Sequence, residues 1–151
     1  MTLDVESLDL TEISPQDFAR LIKDLSKREL AAIATGPSRG RIVDEILSRM
    51  AQSFNREAAG RLAALVRWRI VDEDQPEIAF EMDIADGACR VTAGVSDREP
   101  RVTLALSTAD FARLVSGNAT GTGLFMTRRL KVSGDLGLAA VLVRYFDIPK
   151  A

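Results

Sequence analysis

Ser107-Thr-Ala-Asp-Phe-Ala-Arg-Leu-Val-Ser-Gly117 and Leu130-Lys-Val-Ser-Gly-Asp-Leu-Gly-Leu-Ala139 decide the fold. In the first, Ser107 or Thr108 is placed to cap a helix, and Phe111, Leu114 and Val115 form its apolar stripe. Gly117-Asn118 supplies the stop. In the second, Leu130 and Val132 mark a short strand, Gly134-Asp135 turns and caps, and Leu138, Val141, Leu142 and Tyr145 carry a last helix towards Pro149. The spacing predicts helix, strand, helix with almost no ionisable group facing inward. Such a unit suits an apolar container better than a reaction centre.

Outward from these stretches the period of the apolar residues changes. Val66, Trp68 and Ile70 alternate with Arg67 and Arg69, and Ile78, Phe80, Met82 and Ile84 alternate with Glu77, Glu81 and Asp83. Each run is a strand with one dry and one charged face. Asp86-Gly87 separates Ile84 from Cys89, Val91, Ala93 and Val95, a strong hairpin signal, and Val102, Leu104 and Leu106 supply a further strand. Towards the N-terminus the period is helical. Ser14-Pro15-Gln16-Asp17 opens a helix striped by Phe18, Leu21, Ile22 and Leu25, and Ser26-Lys-Arg-Glu29 is a capping box where it restarts. Ile42, Val43, Ile46, Leu47, Met50 and Phe54 predict another helix over about 39–55.

The expected class is α+β: a five-stranded, mostly antiparallel sheet covered on one face by helices, with an N-terminal helical pair. Residues 1–13 read as a flexible arm, 14–56 as an N-terminal helical section, and 57–151 as the main domain, compact with 14–56. The arm interleaves Asp4, Glu6, Asp9 and Glu12 with Leu3, Val5, Leu8 and Leu10 and has no helical period.

Composition excludes several functions. With 20 Lys and Arg against 22 Asp and Glu, the net charge of -2 lacks the basic excess that nucleic acid requires. The chain contains no histidine, which removes Ser-His-Asp, Cys-His and zinc-hydrolase chemistry. No catalytic residue, metal site or cofactor is expected. A single cysteine, Cys89, permits no internal disulfide, the acidic opening is unlike a signal peptide, and no apolar run approaches 18 residues. The expectation is a cytoplasmic protein with at most transient membrane contact.

Residues from about 58 to 146 resemble the sterol carrier protein type 2 family. The resemblance rests on the Asp86-Gly-Ala88 hairpin turn, the Val102-Thr-Leu104 strand, the Ser-x-x-Asp-Phe-x-x-Leu-x-x-Gly helix at 107–117, and the Gly134-Asp135 cap before a Leu-Ala helix. It implies a sheet and helices enclosing a tunnel for a fatty acid, acyl-coenzyme A or sterol. Eukaryotic members often end in a peroxisomal tripeptide; Pro149-Lys150-Ala151 does not match it.

On this reading Trp68, Phe80, Met82, Phe111, Leu114, Leu142 and Phe146 line the ligand space from the sheet and helices, where periodicity alone makes them ordinary core. Phe125 and Met126, after Gly121-Thr-Gly123, form a mobile portal, since Leu124-Phe-Met126 shows neither period. Arg128 and Arg129, at the start of a strand, meet an anionic head group. The Gly-rich segment lacks the strand and Lys of a phosphate loop. Cys89 without histidine is a small buried hydrophobe. Asp83 and Asp86 are turn and surface acids, and the outward row of Arg67, Arg69, Glu77, Glu81, Asp83 and Arg90 makes cross-strand ion pairs.

The expected function is binding, and transfer, of an apolar ligand, with a lipid-metabolising enzyme as a further partner and homodimerisation left open. Two alternatives stand beside it: an accessory, dimerisation or regulatory module with a closed cavity, and an enzyme acting on a hydrophobic substrate by orientation and desolvation.

Overall fold

The computed structural model describes residues 13–148, so the acidic arm up to Glu12 and the terminal Pro149-Lys-Ala151 lie outside the described residues. Helix α1 (Pro15–Asp24) starts where Ser14 accepts a bond from the Asp17 N–H. It ends at an extended Leu25, and α2 (Lys27–Thr35) restarts at once on the reciprocal capping box of Ser26 and Glu29. Helix α3 (Arg39–Gln52) stops short of the expected position 55, and a one-turn α4 (Arg56–Ala59) follows because Asn55 caps it through the Ala58 N–H.

Strands β1 (Ala64–Ile70), β2 (Ile78–Ala85), β3 (Ala88–Ala93), β4 (Val102–Leu106) and β5 (Lys131–Gly134) form one sheet in the order β3-β2-β1-β4-β5. The β2–β3 turn places Asp86 at φ 53° and Gly87 at φ 74°, the positive pair that a two-residue hairpin turn requires. Neighbours are antiparallel except β1 and β4, which run parallel. The chain leaves β3 at one edge and must cross β2 and β1 before it can add β4.

That crossing, residues 94–101, is tied to the charged face of the sheet. Arg67 reaches Glu81 directly across the strands at 2.7 Å and donates to the carbonyls of Ser96 and Arg98. Glu81 accepts from the Ser96 N–H at 3.1 Å, and Asp83 pairs with Arg98. The outward charges are therefore partly cross-strand pairs, as with Arg67–Glu81 and Arg69–Glu77, and partly a clamp on the crossover.

Helix α5 (Thr108–Val115), capped by Ser107 through the Asp110 N–H, lies across the apolar face. Trp68, Phe80 and Phe111 meet there with ring centroids 5.5–6.1 Å apart, and all three are buried. The start of α5 is held by Asp72, which accepts from the Thr108 N–H and hydroxyl and pairs with the buried Arg39 at 2.8 Å. Arg39 also donates to the carbonyls of Ile70 and Pro76, so nearly the whole guanidinium fork is satisfied.

Residues 121–127, expected as a rim without regular structure, instead contain helix α6 (Gly121–Met126). Two glycines cost about 1 kcal/mol each in a helix. The Thr120 cap on the Gly123 N–H and the burial of Leu124 outweigh that cost. Arg128 and Arg129, expected at a strand start, precede β5 in a turn in which Arg128 has φ 63°. Helix α7 (Leu136–Val141) and a 3-10 turn (Leu142–Tyr145) complete the described chain.

Two consequences follow for stability. Phe111→Ala removes the ring that joins α5 to Trp68 and Phe80, and an unfolding free energy lower by about 3–5 kcal/mol is expected in urea denaturation. Glu81 has its pKa held below the ordinary carboxylate value by its bonds to Ser96 and then Arg67, against the opposing effect of burial. A depressed pKa contributes stability above the unfolded value of about 4.3, which is lost as pH falls through the folded value. Urea denaturation at a series of acidic pH values should therefore show a steeper loss below that pH in the parent than in Glu81→Gln.

Candidate functional site

The sheet–helix interface is closely packed around its aromatic rings. Trp68, Phe80, Met82, Phe111, Leu114, Leu142 and Phe146 are all buried in one continuous core. Phe146 closes the bottom edge-on against Phe54, with centroids 5.6 Å apart. These candidate residues are brought together in contact with one another. The Trp68 indole Nε1 is buried with no hydrogen-bond partner among the described residues. A void between α1, α2, α3 and α5 measures about 20 Å³, room for little more than a water.

An apolar cleft of about 180 Å³ lies where α6, β5 and α7 meet. Gly121, Thr122 and Phe125 form one wall, Leu130 and Val132 the floor, and Leu136, Ala139 and Ala140 the other wall. Backbone geometry and small side chains create it. Asp135 caps α7 through the Leu138 N–H and pairs with Arg101, which holds its carboxyl below the usual range, the backbone bond to Leu138 being the larger cause. Gly134, at φ 101°, lets β5 come close to β4: a Cβ there would stand 2.6 Å from the Arg101 carbonyl. With α7 so fixed, Leu138 points into the core, and Ala139 and Ala140 leave the space above Val132 open.

The cleft has a greasy margin. Phe125 is 47% exposed, Met126 75% and Leu136 58%, three of the large apolar side chains that the described surface leaves in water. Phe125 thus lines the cleft and Met126 stands beside it. Both candidate cations are exposed, and Arg129 is turned to Asp110 of α5. Its Nε donates to Asp110 Oδ2 at 3.2 Å and its Nη2 sits 2.9 Å from Oδ1, off the hydrogen-bonding direction. Asp110 is buried, so this arginine is already committed.

Sequence reasoning did not single out Leu130, Val132, Leu136, Ala139 or Ala140 as site residues. The available signal was the pair of alanines on a helix opposite a glycine-rich segment, two walls with little to fill the gap. Cys89 stands on the inner face opposite Ile84, half-buried, and burial first and Asp83 second push its thiol up to about 11. A thiol so protonated is a poor nucleophile.

A family model, the SCP-2 sterol transfer family, matches residues 43–147, from within α3 to the end of the fold. The chain belongs to that family. Membership supports lipid binding or transfer as the general class of activity. Human stomatin-like protein 1 is 23% identical over 128 residues, covering 85% of this chain; the chain spans 32% of that protein's length. Sterol carrier protein 2 like 2 from Aedes aegypti superposes with a TM-score of 0.55 at 20% identity, over 71% of this chain and 94% of the other. A stereoselective inverting sec-alkylsulfatase from Pseudomonas sp. superposes with a TM-score of 0.60 at 14% identity, over 76% of this chain but 17% of its own. This fold therefore also occurs as a small part of a larger enzyme. Among the described residues of this chain, no helix is long and apolar enough to cross a membrane.

Proposed function

We propose that this member of the family binds a fatty-acyl or similarly apolar lipid chain at the cleft between α6, β5 and α7, and passes it on through the exposed margin formed by Phe125, Met126 and Leu136. The observation that carries the reading is the coincidence of the cleft with that margin, which holds three of the five large apolar side chains exposed among the described residues.

Volume sets how the ligand enters. A dry cavity of about 150 Å³ accepts a six-carbon ring. The cleft of about 180 Å³ therefore takes only the end of a chain as it stands. Six carbons at about 0.8 kcal/mol each give roughly 5 kcal/mol, close to the least cost of association, some 4 kcal/mol. About fourteen methylenes give roughly 11 kcal/mol and leave micromolar binding. A long chain must then lift α6, the six-residue helix that packs against α7 and anchors through Leu124. Phe80, Met82, Phe111, Leu114, Leu142 and Phe146 border the path that opens inward, and Trp68 lies at its end. Arg128, exposed at the turn after α6, is the cation placed to meet a carboxylate, with a contribution of about 1 kcal/mol or less that fades with salt. Residues 14–56 act as the scaffold of the unit, and an enzyme that makes or consumes the lipid is the natural partner of such a carrier.

One observation favours a second reading, a packing or regulatory module whose cavity stays closed: Trp68, Phe80 and Phe111 pack on one another in the middle of the interface between sheet and helices.

Calorimetry with fatty acids of increasing length separates the two. Affinity should be negligible for hexanoate and rise steeply beyond it in the parent. It should fall at least tenfold in Phe125→Asp and in Ala139→Trp, with stability changed by about 0.5 kcal/mol or less for the exposed Phe125. Heat that stays flat at every length selects the closed module.

A further inference from the structure

The sulfur atoms of the chain are those of Met1, Met50, Met82, Cys89 and Met126. Met1 lies outside the described residues, and the fold sets the others in different surroundings. Met50 of α3 and Met82 of β2 are wholly buried in the core. Cys89 is half-buried, and with its thiol pushed up to about 11 little thiolate is present at neutral pH to meet an oxidant. Met126 is 75% exposed, the most open of the large apolar side chains described. A thioether has no proton to lose, so access governs its reaction. The exposure is set by α6 itself. Leu124 anchors that helix inward, each further residue turns about 100° round the axis, and α6 ends at Met126, so no later turn covers the side chain. Met126 thus stands at the margin and not in the cleft, whose α6 wall is Gly121, Thr122 and Phe125.

We propose that Met126 is a reversible oxidation site, at which hydrogen peroxide converts the thioether to the sulfoxide and slows the passage of lipid through the margin. The role in passage rests on the binding function proposed above. A lone pair of the sulfur attacks one peroxide oxygen and the O–O bond breaks. That oxygen stays on sulfur, and its proton passes to the departing hydroxide, which leaves as water. Sulfur loses two electrons and the peroxide takes them up. A flexible apolar group thereby becomes a polar one with a strong acceptor oxygen. In water at the margin the new group costs the fold little. A chain that slides past it must strip that oxygen of water, which is unfavourable for an apolar ligand. The lipid meets Met126 only in transit, so the barrier rises for entry and exit alike while the bound state, held by the cleft walls, is unchanged. Methionine sulfoxide reductases return the thioether and open the margin again.

Hydrogen peroxide at neutral pH, applied to the full chain and followed by peptide mass spectrometry, tests the site. Met126 should take up oxygen at least about tenfold faster than Met50, Met82 or Cys89, and the three methionines should react alike once urea has unfolded the chain. Exchange of ¹³C-carboxyl dodecanoate between water and protein, read by NMR, tests the consequence. After oxidation the exchange rate should fall at least about fivefold with the bound fraction unchanged, and reductase treatment should restore it. Met126→Leu, compared with itself before and after peroxide, should show no change, which separates Met126 from Met1. Met50 or Met82 reacting as fast as Met126 in the folded chain overturns the proposal. So does an unchanged exchange rate in protein oxidised at Met126, or slowing that persists in Met126→Leu. A reduced parent that binds no dodecanoate removes the binding function and the role in passage together, whereas binding with unaltered exchange removes the role in passage alone.

Discussion

The stacking of Trp68, Phe80 and Phe111 between sheet and α5 is the constraint on which the rest of the molecule depends. Aromatic rings in contact bury large areas and favour tilted or offset geometries, which lock the helix against two adjacent strands. These rings pack the middle of the interface, and the apolar cleft opens where side chains become small, at Ala139 and Ala140 on one wall and Gly121 on the other. The cleft lies at one corner of the fold, where α6, β5 and α7 meet.

Polar groups fix the frame that the rings fill. Asp72 joins the start of α3, through Arg39, to the start of α5, through Thr108, and brings the β1–β2 connection with it. On the far face, Arg67 and Glu81 hold the crossover that makes β4 parallel to β1. One charged cluster aligns the helices and another the strands, and both are buried enough that loss of one partner would leave an uncompensated charge. Between these two fixed regions, α6 is the short element, capped by Thr120 and anchored by Leu124. It is the part of the cleft wall with the least to lose by moving.

Much of this was legible in the residues. Alternation located the strands and assigned Trp68, Phe80 and Met82 to the inner face, Asp86-Gly87 identified the hairpin, and Ser26 with Glu29 marked the restart of the helix. Period 2 reports which face a residue occupies and says nothing about which strand lies alongside, so the parallel β1–β4 pair was not visible. Helix α6 was hidden because glycine disfavours helix locally while its cap and one buried leucine act through tertiary structure. The commitment of Arg129 to Asp110, nineteen residues earlier in the chain, is a contact no local pattern announces. The cleft itself was hard to see because it is defined by what Ala139 and Ala140 lack.

Mapping ¹⁵N and methyl chemical shifts of the full chain during titration with dodecanoate tests the location of binding most directly. The account predicts saturable shifts that begin at Gly121, Phe125, Val132, Leu136 and Ala139 and reach Leu124 and Leu142 as α6 lifts, while Asp72 and Arg39 stay still. Shifts centred instead on residues remote from α6 and α7, or none at saturating ligand, would contradict it.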